Sequence, residues 1–157
     1  MGCLIMKLRK ILNEIGNTTI PPNTKFSTNN IKFKFENINY QIDFRIGVED
    51  AERFSVFIDF YANGDTSLTN QNQPLKVMSY IFGCIEEWLR RKKKKCIYIG
   101  YNPKSENDET PNILSVNKRD RVYRMYLSKI ADKFGSEVEF LIHGNVIARF
   151  NPPLIVK

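Results

Sequence analysis

The chain has 157 residues, of which 42% are hydrophobic and 26% charged. These proportions are ordinary for one globular domain with one core, expected to span residues 1–157, and at that length roughly 68–70% of the unfolded surface can be buried, so neither a disulfide nor a metal is required for stability. The formal charge is +7, and Arg90, Arg91, Lys92, Lys93, Lys94 and Lys95 supply six of those charges, which excludes a uniformly basic protein and leaves a local basic spot on a near-neutral background.

In chain order, residues 3–15 read as an amphipathic helix, with Leu4, Ile5, Leu8, Ile11, Leu12 and Ile15 on one face. Gly16 is a natural stop, and Pro21-Pro22 forces an extended stretch. The apolar patch from Cys3 to Met6 is too short for a secretory signal. Met1-Gly2-Cys3 resembles an acylation start, but Met6 stands where a myristoylation site wants Ser or Thr. Ile31, Phe33 and Phe35 alternate with Lys32, Lys34 and Glu36, and Tyr40, Ile42, Phe44 and Ile46 alternate with Gln41, Asp43 and Arg45. Period two of this kind predicts half-buried antiparallel strands joined by a turn at Asn37–Asn39. A third strand is expected over 53–61, through Phe54, Val56, Ile58 and Phe60, with Phe57 and Tyr61 on its other face, so that it is expected to be covered on both sides.

Asn63-Gly64-Asp65 ends that strand, and a polar loop leads to Pro74, well placed as the first residue of a helix. Leu75, Met78, Ile81, Phe82, Ile85, Trp88 and Leu89 form its apolar stripe. The helix ends in the basic run, where cations favour the negative end of the helix dipole. Cys96 to Ile99 reads as a central strand, and a right-handed crossover places it parallel to and beside the strand at 53–61. Residues 102–116 form a loop with an acidic patch at Glu106, Asp108 and Glu109. Asn117 is positioned to cap a helix running to about Phe134, closed by Gly135. Val138, Phe140 and Ile142 make a strand, Gly144-Asn145 a tight turn, and Val146 to Phe150 the last strand.

Few residues carry chemistry by pattern. The three cysteines, Cys3, Cys84 and Cys96, are widely spaced and form no C-x-x-C pair, which fits reduced thiols in a cytoplasm; Cys84 and Cys96 sit in apolar runs and read as small core residues. His143 is the single histidine, so a His-rich metal site is excluded, and its place beside the Gly144-Asn145 turn suits an exposed side chain. No phosphate loop of the G-x-x-x-x-G-K-[ST] kind occurs, and no run approaches the roughly 20 apolar residues of a membrane span. Glu86 and Glu87 are adjacent on a helix and do not face each other. The run Arg90 to Lys95 is a candidate for salt-dependent binding of nucleic acid or an acidic partner, although no aromatic residue interleaves with it as a base-stacking platform needs. Its bland reading is a solvated turn between a helix and a strand, with the acidic patch at 106–109 as a partner within the fold or across a homo-oligomer.

The element order, α-β-β-β-α-β-α-β-β, resembles the GNAT-type N-acetyltransferase fold over nearly the whole chain. The helix sequence Arg119-Asp120-Arg121-Val122-Tyr123, with Gly135 twelve residues after Tyr123 and Ile97-Tyr98-Ile99 in the preceding strand, is similar to a signature of uncharacterised, phage-encoded acetyltransferase-like proteins. The resemblance implies an α+β fold with a mixed central sheet of about six strands flanked by three helices. In GNAT enzymes a Gln/Arg-x-x-Gly-x-Gly/Ala loop holds the acetyl-CoA pyrophosphate at a helix N-terminus, where glycines let backbone N–H groups approach the phosphates. The matching stretch here is Gln71-Asn72-Gln73-Pro74-Leu75-Lys76. Gln71 matches the first position, Gln73 and Lys76 are further candidate cofactor contacts, both glycines are absent, and Pro74 has no N–H to offer. The resemblance also implies a tyrosine acid for the leaving thiolate, for which Tyr123 and Tyr126 are candidates, and Asp59 is the carboxylate best placed as a base. Against these roles, Tyr123, Tyr126, Ile130 and Phe134 recur at helical spacing as an ordinary core face, and Asp59 reads as a strand aspartate facing solvent or pairing with a cation. The expectation is a non-catalytic, phage-type accessory or structural protein that binds a phage or host protein, in the cytoplasm or in a virion. The alternatives are an acetyl-CoA-dependent N-acetyltransferase with a divergent phosphate loop and a nucleic-acid-binding accessory protein.

Overall fold

The computed structural model describes residues 19–63, 74–102 and 113–157; the side chains of residues 74, 75, 113–119 and 143 are excepted. The helix expected over 3–15, the candidate contacts Gln71 and Gln73, and the acidic patch at 106–109 lie outside the described residues. Within them the chain is α+β, with a mixed seven-stranded sheet and two helices. The strands are β1 (Lys25–Phe26), β2 (Asn30–Phe35), β3 (Ile38–Glu49), β4 (Arg53–Ala62), β5 (Lys95–Tyr101), β6 (Glu137–His143) and β7 (Asn145–Leu154). The helices are α1 (Pro74–Lys92) and α2 (Ile113–Lys133). The order across the sheet is β1-β2-β3-β4-β5-β7-β6.

The sheet holds one strand more than the six expected. Lys25–Phe26 pairs antiparallel with β2 through Lys25↔Lys32 and Phe26↔Ile31; two residues carry no periodic signal, so only the neighbouring strand reveals them. The turn between β2 and β3 is also shorter than expected. Glu36 and Asn37 both take positive φ, 50° and 64°, and Phe35 pairs directly with Ile38. This is a two-residue turn of the handedness that matches strand twist, and it draws Ile38 and Asn39 into β3. Helix α2 begins at Ile113, so Asn117 lies inside it and is not its cap. Extending a helix costs far less than starting one, and the modest cap preference of a single Asn does not outweigh a further turn.

Other elements follow the pattern of the sequence closely. Pro74 opens α1. Lys93, at φ 56°, turns the chain out of that helix before β5. Gly135, at φ 77°, ends α2 in a Schellman arrangement, with Ser136 N–H donating to the Ala131 carbonyl and Gly135 N–H to that of Asp132. β4 and β5 are parallel neighbours, paired from Arg53↔Lys95 to Ile58↔Tyr101, as expected of two strands joined through a helix.

Both helices pack on one face of the sheet. From α1, Trp88 stacks on Phe44 of β3 at 4.2 Å between ring centroids and meets Phe54 of β4 edge-on, and its indole N–H donates to the Thr28 carbonyl at 3.1 Å. From α2, Tyr123 packs against Phe60 of β4 and Tyr101 of β5. Phe44, Ile58 and Tyr101 lie in one cross-strand row, so these contacts share a face. The helices touch each other through Phe82 and Tyr126, stacked at 4.1 Å. The opposite face carries Lys32, Gln41, Asp43, Arg45, Phe57, Asp59, Tyr98 and Arg149, and neither α1 nor α2 lies over it.

Candidate functional site

In sheets with parallel strands, ligands bind outside the carboxyl ends of those strands, where neighbouring strands diverge. The parallel pairing of β4 with β5 stops at Ile58↔Tyr101, while β4 continues to Ala62. On the helix side this parting is closed by aromatic rings. Tyr123 stacks on Tyr101 at 4.5 Å, meets Phe82 edge-on at 5.4 Å and lies 6.3 Å from Phe60. It is 4% exposed and Tyr101 is 1% exposed. The Tyr101 hydroxyl donates to Asp120 Oδ1 at 2.7 Å, and the other carboxylate oxygen of Asp120 accepts from Arg124 Nε at 2.9 Å. Burial, and then the neighbouring Asp120 carboxylate, hold the Tyr101 phenol well above the ordinary tyrosine range.

Tyr126 is likewise buried, and its hydroxyl donates to the Phe82 carbonyl at 3.3 Å. Burial first, then the Glu86 carboxylate, push its pKa well above the usual value, which makes it a poor proton donor at neutral pH. Asp59 stands on the other face of the sheet. It lies directly opposite Asp43, is half-buried, and pairs with Arg45 at 4.0 Å, whose guanidinium also covers the Phe57 ring at 4.7 Å. The sheet therefore separates Asp59 from Tyr123 and Tyr126. Lys76, in the first turn of α1, extends its ammonium over the Phe35 ring at 5.7 Å.

The basic run is largely spent on ion pairs. Arg90 meets Glu86 and Glu87, and Arg91 meets Glu87 and covers the Phe26 ring at 4.0 Å. Lys92 and Lys94 converge on Glu49 at 2.7 and 2.9 Å. Hydrogen bonds from Lys92 and Lys94 hold the Glu49 carboxyl below its ordinary pKa. Burial raises the Glu87 carboxyl, but the bonds from Arg91 and Arg90 outweigh it and the net shift is downward. Lys93 and Lys95 are exposed and make no ion pair among the described residues. The run clamps the end of α1 to the end of β3 and offers few free charges to a polyanion.

A polar hollow on the face opposite α1 and α2 was not singled out by any sequence pattern. It measures about 870 Å³ and its walls include Lys25, Lys32, Lys34, Asn23, Gln41 and Asn63. The strands set it out in rows. Lys25, Lys32, Gln41 and Tyr61 are successive partners across β1–β4. Lys34 stands opposite Asn39 in the next row, and Asn39 N–H donates to Asn63 Oδ1 at 3.0 Å. Lys32 and Lys34 read in the sequence as the solvent side of a strand, and Lys25 joins them only through the pairing of β1.

The buried thiols offer no chemistry. Cys84 and Cys96 are free and 0% and 1% exposed; burial pushes the Cys84 thiol up to about 12 and Cys96 higher still, so neither is a thiolate at neutral pH. Among the described residues no cluster of His, Cys, Asp or Glu has the makings of a metal site, and no helix is long and apolar enough to cross a membrane. No protein-family profile, curated protein or solved structure matches the chain.

Proposed function

We propose that this chain is a GNAT-like, phage-type accessory or structural protein that acts by binding another protein and not by acetyl transfer. The observation that carries the reading is the packing of Tyr123. Its ring spans from Tyr101 at the end of β5 to Phe60, beyond the last β4 residue paired with β5. A thioester cofactor reaching between the strands from the helix side would have to displace a stacked, buried pair of rings. The placement of Asp59 across the sheet from both tyrosines supports the same reading, since an acid and a base for one reaction must both reach the substrate. So do the absent glycines and the Pro74 of the candidate phosphate loop. The GNAT-like part of the reading rests on the short helix signature and on an antiparallel first half followed by one central parallel pair.

A protein partner suits the sheet face opposite α1 and α2, beside β4. Phe57, Gly100, Ile147 and Leu141 form one cross-strand row over β4, β5, β7 and β6, with Arg45 next to Phe57. The side chains of Phe57, Ile147 and Leu141 are half-buried, and an apolar centre with an Arg at its margin is the usual composition of a protein interface.

Calorimetric titration with acetyl-CoA and, separately, with ADP tests the proposal. Acetyl-CoA is expected to bind no more tightly than ADP. Affinity for acetyl-CoA tenfold or more above that for ADP, with release of free thiol in the presence of an amine, would establish an acetyltransferase instead. The partner arm compares proteins recovered at one-to-one stoichiometry by the native chain and by Leu141→Lys, whose loss of the partner is the expected result.

A further inference from the structure

The polar hollow lies over β1, β2 and β3, on the sheet face opposite α1 and α2. Charge is its unusual feature. Lys25 and Lys32 are direct cross-strand partners, a spacing of about 5 Å between Cα atoms at which like charges repel. Lys34 follows Lys32 on the same face and strand. All three are exposed, and among the described residues none of the three makes an ion pair, whereas four members of the 90–95 run are paired. Among the described residues that line the hollow the sole carboxylate is Asp43, which accepts a hydrogen bond from Gln41 Nε2 at 2.6 Å. Three cations thus gather at one end of the hollow, and the amides of Asn39, Gln41 and Asn63 line the end toward β4.

We propose that this hollow binds a small phosphorylated ligand of nucleotide size, its phosphates held by Lys25, Lys32 and Lys34 and its polar body by the side-chain amides. The volume falls in the range of small-molecule sites, about 300–1,000 Å³. Lysines act as point charges toward phosphate oxygens, and amides supply both donors and acceptors for hydroxyls or a base edge. A bound phosphate group also relieves the repulsion between Lys25 and Lys32, so the site gains from occupancy twice over. A nucleic-acid strand fits less well, because a strand requires cations spread along a track and here they are gathered at one corner of the sheet. The binding of acetyl-CoA or of a protein partner plays no part in this inference.

The test is calorimetry at low salt with ADP and with inorganic pyrophosphate, on the native chain, on Lys32→Gln/Lys34→Gln and on Lys93→Gln/Lys95→Gln. The lysines of both variants are exposed strand or turn residues, and circular dichroism checks that each variant is folded. One-to-one binding of ADP, weakened about tenfold or more by the first variant and unchanged by the second, is the expected result. Pyrophosphate is expected to compete with ADP. Absence of saturable binding of either probe at about 1 mM, or equal weakening by both variants, overturns the proposal. Binding of a labelled oligothymidylate that the first variant abolishes, with no binding of ADP, overturns it in favour of a polymer site.

Discussion

At the scale of single residues, contacts that no sequence pattern announces decide several positions. Gly100 lies opposite Phe57 in the parallel pair, and a Cβ added there would come within 2.7 Å of the Phe57 ring. The glycine is what lets that ring lie across β5. Gly100→Ala is therefore expected to lower stability by about 1–3 kcal/mol through overpacking, and the double variant Gly100→Ala/Phe57→Leu to recover part of it; urea midpoints of the two variants measure both effects. Recovery absent from the double variant would mean that the glycine serves the backbone instead. Asp59 and Tyr123 illustrate a related point. Alternation and helical spacing assign each to a face of its own element, but whether two elements turn those faces toward each other depends on the sheet between them.

At the scale of elements, the β2–β3 hairpin shows local conflict. Its turn needs positive φ at both central residues, and Glu36 occupies the first at φ 50°. The short side chain of Asn bonds to the nearby backbone and makes the left-handed region more tolerable for it than for the longer glutamate. Glu36→Asn is expected to stabilise the protein by about 0.5–1 kcal/mol, read as a rise in thermal midpoint with no change in the circular dichroism of the folded state. An unchanged or lowered midpoint would show that the interactions of Glu36 outweigh the backbone gain. Helix α1 shows the reverse, agreement between levels. Its N-terminal proline, its apolar stripe and its cationic end all favour the same helix, and the cations then bond to Glu49 on β3. The basic run, legible as a charge cluster, is in the fold a joint between two elements.

At the scale of the molecule, that joint ties stability to pH. Lys92 and Lys94 depress the Glu49 carboxyl, backbone N–H groups of Glu52 and Arg53 depress Asp50, and Arg91 and Arg90 outweigh burial to depress Glu87. A carboxyl whose folded pKa lies below its unfolded value stabilises the fold above the unfolded pKa and loses that contribution as pH falls through the folded one. The ordinary values of these groups are 4.5, 3.8 and 4.5, so the loss is expected to begin below about pH 4.5 and to grow with further acidification. The pairs are partly exposed, so the effect is modest and shrinks in salt. Urea midpoints at pH 6 and pH 3 measure it; Glu49→Gln should reduce the difference, and an identical pH dependence in that variant would assign the effect to other carboxyls.

The amino-acid sequence by itself determined what is local: the alternation that makes β2, β3 and β4 strands, Pro74 and Gly135 as helix boundaries, the apolar stripe of α1, and burial of Cys84 and Cys96. It also placed β4 beside and parallel to β5, because strands joined through a helix run parallel and consecutive elements tend to be neighbours. Tertiary structure alone decided what depends on partners distant in the chain. Strand β1 exists only because β2 holds it, Tyr123 is closed in by rings from β4, β5 and α1, and Lys25, Lys32 and Lys34 meet only when β1 and β2 come into register. Backbone preference and hydrophobic period are properties of neighbouring residues and can be read along the chain, whereas the convergence of charges into a site is a property of strand register, which the packing of the whole sheet sets.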